Sequence, residues 1–269
     1  MKKLSRYLNR QREMGRESLP ALTRLPWEIA RSYYRRILPE KDCPKHGYRL
    51  YDRPLLASYS RSGTNWLRFM IEDISGLPTP GKACLHAQHD GNFVIDRAHK
   101  AYACMPRHPK VILVLRDYRE CLLRHHRPLW LRNPMVNEFL VDRSEEQPPC
   151  WYIRNIEAFD EYPREKLLLF YENLVLEPES MIPRLSEFLG LSPERTAAFI
   201  DHLDAKAAQS VGIYASSGRL SVTGASRDLR HHAHEHLSAA QQLEFDTFYR
   251  ERYPELFEKY LKRYALSVA

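Results

Sequence analysis

Three short runs of unbroken apolar residues punctuate this chain: Leu55-Leu56-Ala57, Val111-Ile112-Leu113-Val114-Leu115 and Leu167-Leu168-Leu169-Phe170. Aliphatic runs without polar alternation are what strands need when both faces of a parallel sheet are covered. Strands are therefore predicted over 55–59, 111–115 and 167–170. Around them, apolar residues return at helical spacing. Trp66, Leu67, Met70, Ile71 and Ile74 share one face of a helix that ends at Gly76, where a left-handed residue satisfies the last carbonyls. Further helices are predicted over 119–126, over 152–159 through Tyr152, Ile153, Ile156 and Phe159, and over 178–189 with Gly190 as the stop. Ser192-Pro193 opens another, and Ser238-Ala239-Ala240-Gln241 reads as the capping box of a C-terminal helix. The stretches 77–109, 127–149 and 210–230 read as loops, the second as a candidate lid.

This alternation predicts an α/β fold, a three-layer αβα arrangement around a central parallel sheet, in one domain over 51–269. Residues 1–50 are basic and aromatic, with Trp27, Ala30, Tyr34 and Leu38 at helical spacing. They form a helical N-terminal extension, for which an anionic membrane surface, a cover over a substrate site and simple packing on the domain all stay open. A hydrophobic fraction of 43% and a charged fraction of 28% belong to an ordinary folded protein. The net charge of +7 directs attention to anionic partners: nucleotides, acidic glycans, nucleic acid or an acidic membrane. No apolar run approaches the about 18 residues of a membrane-spanning helix, and no apolar stretch follows the basic start, so a cytoplasmic protein is expected. The five cysteines are scattered without a CxxC pair, which points to reduced thiols.

The chemistry concentrates after the first strand, at Tyr59-Ser60-Arg61-Ser62-Gly63-Thr64-Asn65-Trp66. A strand, a tight turn and a helix start make an anion cradle: backbone N–H groups point into the turn, the helix dipole favours negative charge, and Gly63 lets the backbone come close. Arg61 stands at the lip. The Gly-Lys-Ser/Thr ending of a Walker loop, which serves ATP and Mg²⁺, is missing. In an open parallel sheet ligands bind beyond the carboxyl ends of the strands. Ser60-Arg61, Arg116 and Tyr171-Glu172 stand at those ends, so two cations and an aromatic converge there.

The loop resembles the 5′-phosphosulfate loop of sulfotransferases that use 3′-phosphoadenosine 5′-phosphosulfate (PAPS), whose pattern is Tyr-Pro-Lys/Arg-Ser-Gly-Thr-x-Trp. Ser60 departs from the proline, and Arg61 from the commoner lysine. The resemblance extends over about residues 52 to 265 and implies the P-loop-like fold of that family. It assigns Arg61, Ser62, Gly63, Thr64, Asn65 and Trp66 to the 5′-phosphosulfate. Lys110 through Asp117 is similar to the family's 3′-phosphate strand, which gives Arg116 the 3′-phosphate. Arg124 stands where the family has a serine, and a guanidinium there pairs well with phosphate. Leu168 through Leu174 resembles the family's Phe-Tyr-Glu-Asp-Leu strand, so Tyr171 and Trp66 would touch the adenine. Trp66 reads equally as a core residue. Arg219, Thr223, Gly224 and Arg227 echo the family's second 3′-phosphate loop.

The resemblance implies sulfuryl transfer from PAPS to a hydroxyl, less readily an amine, with 3′-phosphoadenosine 5′-phosphate (PAP) as product and no metal required. The family base is a histidine within Lys-Thr-His between the two phosphate motifs. His89 in Leu85-His86-Ala87-Gln88-His89-Asp90-Gly91 takes that role, with His86 as the alternative. A metal at His231-His232-Ala233-His234-Glu235-His236 lacks a third ligand of known proximity and is not assigned. The acceptor would be a small molecule or a glycan. Two rival readings remain: a P-loop small-molecule kinase, and a non-catalytic basic module that binds nucleic acid or a membrane surface.

Overall fold

The computed structural model describes residues 52–81, 85, 93–130, 148–216 and 237–266. Its elements run in the order β1 (Leu55–Ser58), α1 (Thr64–Ser75), β2 (Asp96–Ala98), β3 (Lys110–Leu115), α2 (Tyr118–Trp130), α3 (Pro148–Asp160), β4 (Glu165–Phe170), α4 (Tyr171–Leu176), α5 (Pro178–Leu189), α6 (Pro193–Asp201), α7 (Leu203–Ser216) and α8 (Ala239–Arg252). Short helical turns at 101–107 and 254–264 complete them.

The four strands make one parallel sheet in the order β2-β1-β3-β4. Leu56 stands beside Ile112 and Ile112 beside Leu167, so these three side chains point to the same face. With Val114 and Leu169 they meet Leu67, Met70, Ile71 and Ile74 of α1, Ile182 and Leu185 of α5, and Phe199 of α6 in one buried cluster. The alternate residues Leu55, Ala57, Val111 and Leu113 are just as buried, and α3 lies against β1 and β3 with Tyr152, Ile153 and Ile156 buried. Helices thus cover both faces, and the predicted three layers are present.

Helix ends follow the local chemistry. Gly76 is left-handed at φ 75° and its N–H bonds the Glu72 carbonyl at 2.9 Å. Gly190 closes α5 in the same conformation. Ser192 accepts from the Arg195 N–H, and Ser238 with Gln241 makes both bonds of a capping box. Several segments differ from expectation: α2 runs on to Trp130, into the predicted loop 127–149, and α4 follows β4 directly where no helix was predicted. β2 lies inside 77–109, where three residues with two charges give no readable period. α7 continues to Ser216, through residues read as the start of a loop. Residues 1–50 lie outside the described residues, and no described helix is long and apolar enough to cross a membrane.

The C-terminal part is tied to the strand ends through Asp246, which is fully buried. Its carboxylate accepts from the Tyr118 hydroxyl at 2.5 Å and from the Leu266 N–H at 2.8 Å, with Arg119 at 3.7 Å. Buried charge is tolerated only with partners of this kind. The tie holds α8 against the turn that follows Arg116.

Candidate active site at the carboxyl ends of the strands

The turn between β1 and α1 needs two left-handed residues in a short space. Arg61 has φ 72° and Gly63 φ 81°, Arg61 being the one non-glycine with positive φ among the described residues. A side chain in that region costs about 1–2 kcal/mol, which other contacts must offset. The Ser58 and Thr64 hydroxyls meet at 2.7 Å across the turn, and the Ser62 N–H bonds the Tyr59 carbonyl at 3.3 Å. Gly63 is the N-cap of α1, and no side chain caps that end among the described residues. The amides of the first turn therefore face the cradle with the positive end of the dipole. Arg61 projects into solvent at its rim.

Gly63 is required for a second reason. A Cβ added there would fall 2.2 Å from Cδ2 of Tyr171. Tyr171 is 6% exposed and seals the glycine from below. Its ring is thus a brace of the cradle, a role the sequence reading did not give it. Gly63→Ala is expected to destabilise the fold by about 2–4 kcal/mol, from the left-handed strain plus overpacking, as read by urea unfolding. A loss below about 1 kcal/mol would mean that the ring yields freely.

Arg116, at the end of β3, is 6% exposed. It donates to the Arg61 carbonyl at 3.2 Å, and its guanidinium lies over the Tyr171 ring at 4.3 Å. Glu120, one helical turn on, accepts from Arg124 Nε at 2.8 Å and stands 3.5 Å from Arg116 Nη2. One buried carboxylate thus holds two guanidinium groups, and the trio keeps a net positive charge for an anion. Burial, then the Arg116 charge, lowers the Arg124 pKa from its ordinary value. Cys121 beside Ser62 is inert, its thiol pushed up by burial to about 12. Trp66 stacks on Phe69 at 5.7 Å and leans on Phe199 at 5.9 Å. It is only partly buried, so its core role does not use the whole ring.

A histidine that the sequence reading did not choose stands beside the end of β1. His99 follows β2, the neighbour of β1, and its Nδ1 lies 3.0 Å from the Ser58 carbonyl. A carbonyl only accepts, so Nδ1 carries the proton and Nε2 keeps its lone pair. Burial, with Arg97 adding to it, lowers the imidazole to about 4. His99 is therefore neutral near pH 7, the form a base requires. One signal could have found it: Arg97-Ala98-His99 repeats the basic, small, histidine spacing of Lys-Thr-His and stands at a strand end.

The burial of neutral His99 has a consequence for stability. Its folded value of about 4 lies below the ordinary 6.5, so the unfolded chain binds more protons between those limits. The contribution is complete above pH 6.5 and is lost as pH falls toward 4. Urea unfolding at pH 7 and pH 5 should show less acid loss for His99→Gln than for the unaltered chain. An equal loss in both would contradict the assignment.

His86, His89, Arg219, Thr223, Gly224, Arg227 and the cluster 231–236 lie outside the described residues. The structure brings Arg61, Ser62, Gly63, Thr64, Arg116, Arg124 and Tyr171 together, and places Asn65 and Trp66 on the helix that the cradle opens. A profile of the sulfotransferase domain family matches residues 98–259. No match was found among curated proteins. Among solved structures the chain is similar to mouse sulfotransferase SULT7A1 complexed with PAP, at 16% identity, with 80% of this chain and 89% of that chain covered and a TM-score of 0.47.

Proposed function

Since the chain belongs to the sulfotransferase domain family, we propose that it moves the sulfuryl group of PAPS to a hydroxyl acceptor with His99 as the base. The observation that carries this reading is the adjacency of two strand ends: an anion cradle after β1, and after β2 a neutral imidazole whose Nδ1 is bound to the cradle strand's own Ser58 carbonyl.

PAPS supplies an activated sulfuryl group. The bond between sulfur and the bridging phosphate oxygen breaks, a bond between sulfur and the acceptor oxygen forms, and the acceptor proton is left for a base. His99 Nε2 takes that proton. The first-turn amides of α1 and the Arg61 guanidinium neutralise the charge that grows on the leaving phosphate. Arginine is protonated at all relevant pH, so Arg61 stabilises the leaving group by charge and not by proton donation. Arg116 and Arg124 hold the 3′-phosphate, with Arg219, Thr223, Gly224 and Arg227 as further contacts. Trp66 offers the adenine its exposed face, while Tyr171 acts from beneath the cradle. The acceptor is a small molecule or a glycan.

The test is transfer of labelled sulfate from PAPS to a panel of hydroxyl acceptors, comparing the unaltered chain with His99→Ala and His89→Ala. Loss confined to His99→Ala supports the reading. Loss confined to His89→Ala moves the base to residue 89.

A further inference from the structure

The proposed base follows β2 and the proposed phosphate grip ends β3, and one helix bonds both. Tyr152 and Asn155 of α3 are three residues apart and so share a helix face. Each is 1% exposed. The Tyr152 hydroxyl donates to the Arg116 carbonyl at 2.7 Å. Asn155 Nδ2 donates to the His99 carbonyl at 2.8 Å, while its Oδ1 accepts from the Tyr102 N–H at 3.0 Å. The Tyr152 ring also meets Tyr59, the first residue after β1, edge to face at 5.7 Å. One face of one helix therefore touches the ends of three adjacent strands.

The residue types are informative. Beyond the last rung of a sheet a buried backbone carbonyl has no strand partner and must find a donor. Apolar residues would fill the interior at 152 and 155, and polar ones are costly there unless they are bonded. The two polar groups bond the carbonyls of the two residues on which the chemistry rests.

We propose that Tyr152 and Asn155 are positioning residues that set the spacing between the base His99 and the phosphate grip at Arg116. The inference rests on the roles given to His99 and Arg116 above. Each bond acts on one partner, so removing them should produce separate effects. A helix that merely fills the interior would produce one common loss.

The test uses the full chain, with PAP binding by calorimetry and the His99 titration by NMR, the signal assigned through His99→Gln. Tyr152→Phe removes one hydroxyl and keeps the ring. It should weaken PAP binding about tenfold, the scale of one lost hydrogen bond, with His99 still titrating near 4. Asn155→Leu keeps the size and removes both bonds. It should raise the His99 titration toward the ordinary histidine value as water reaches the loosened strand end, with PAP affinity within about twofold. Should Asn155→Leu not fold, Asn155→Ser is read in its place. Both readouts moving together in each variant, or neither moving, overturns the proposal. If the unaltered chain binds no PAP, the sulfotransferase reading of the site fails on that ground alone. The Asn155 arm, read from the imidazole, then still decides whether α3 positions His99.

Discussion

His99→Ala is expected to lower sulfuryl transfer by about 10²–10⁴-fold, the usual contribution of a positioned base, with PAP affinity changed by less than about threefold. The asymmetry follows from geometry. The imidazole is bound through Nδ1 to Ser58 at the foot of the cradle, and its other nitrogen is left for the acceptor proton. Because burial holds the group near 4, the acid limb of turnover in the unaltered chain should lie well below that of an ordinary histidine. Steady-state rates across pH, with PAP titrations of the same variant, check both points. A fall in affinity equal to the fall in rate would make His99 a structural residue.

Arg116→Ala is expected to weaken PAP about 100-fold while leaving binding of adenosine 5′-monophosphate within about threefold. Two charge-assisted hydrogen bonds to one phosphate, each at the low end of about 1.5–3 kcal/mol, set that scale. Arg116 also bonds the Arg61 carbonyl and covers Tyr171, so Arg116→Lys serves as the control. It keeps a charge but not the fork, and its loss should be intermediate. Equal weakening of both nucleotides would mean that Arg116 supports the cradle and does not read the 3′-phosphate. Arg124 shares Glu120 with Arg116, so double replacements at 116 and 124 should be less than additive.

The central strands were legible because Val111 to Leu115 and Leu167 to Phe170 carry the unbroken apolar signature of a doubly covered sheet. The cradle was legible because its glycine and its arginine stand at a strand-to-helix junction. β2 was not. Asp96-Arg97-Ala98 is three residues long, lies at the sheet edge and carries two charges, so periodicity has nothing to report. With that strand unread, the histidine that follows it was unread too; His89, named from the same interval, lies outside the described residues. Tyr171 shows a different limit. Its sequence context marks an aromatic at a strand end, but only the fold shows that the ring occupies the space a Cβ at residue 63 would need. The shared carboxylate of Glu120 is likewise a product of two four-residue steps, from Arg116 to Glu120 and from Glu120 to Arg124, a spacing that carries meaning once α2 is known to start at Tyr118.

The proposed function requires the strand ends to form a site for a nucleotide bearing a 3′-phosphate. Calorimetry of the full chain without added metal, comparing PAP with adenosine 5′-monophosphate and ATP, addresses it directly. PAP should bind at least about 30-fold tighter than either, a difference of about 2 kcal/mol that disappears in Arg116→Ala. Weak and equal binding of all three nucleotides would contradict it.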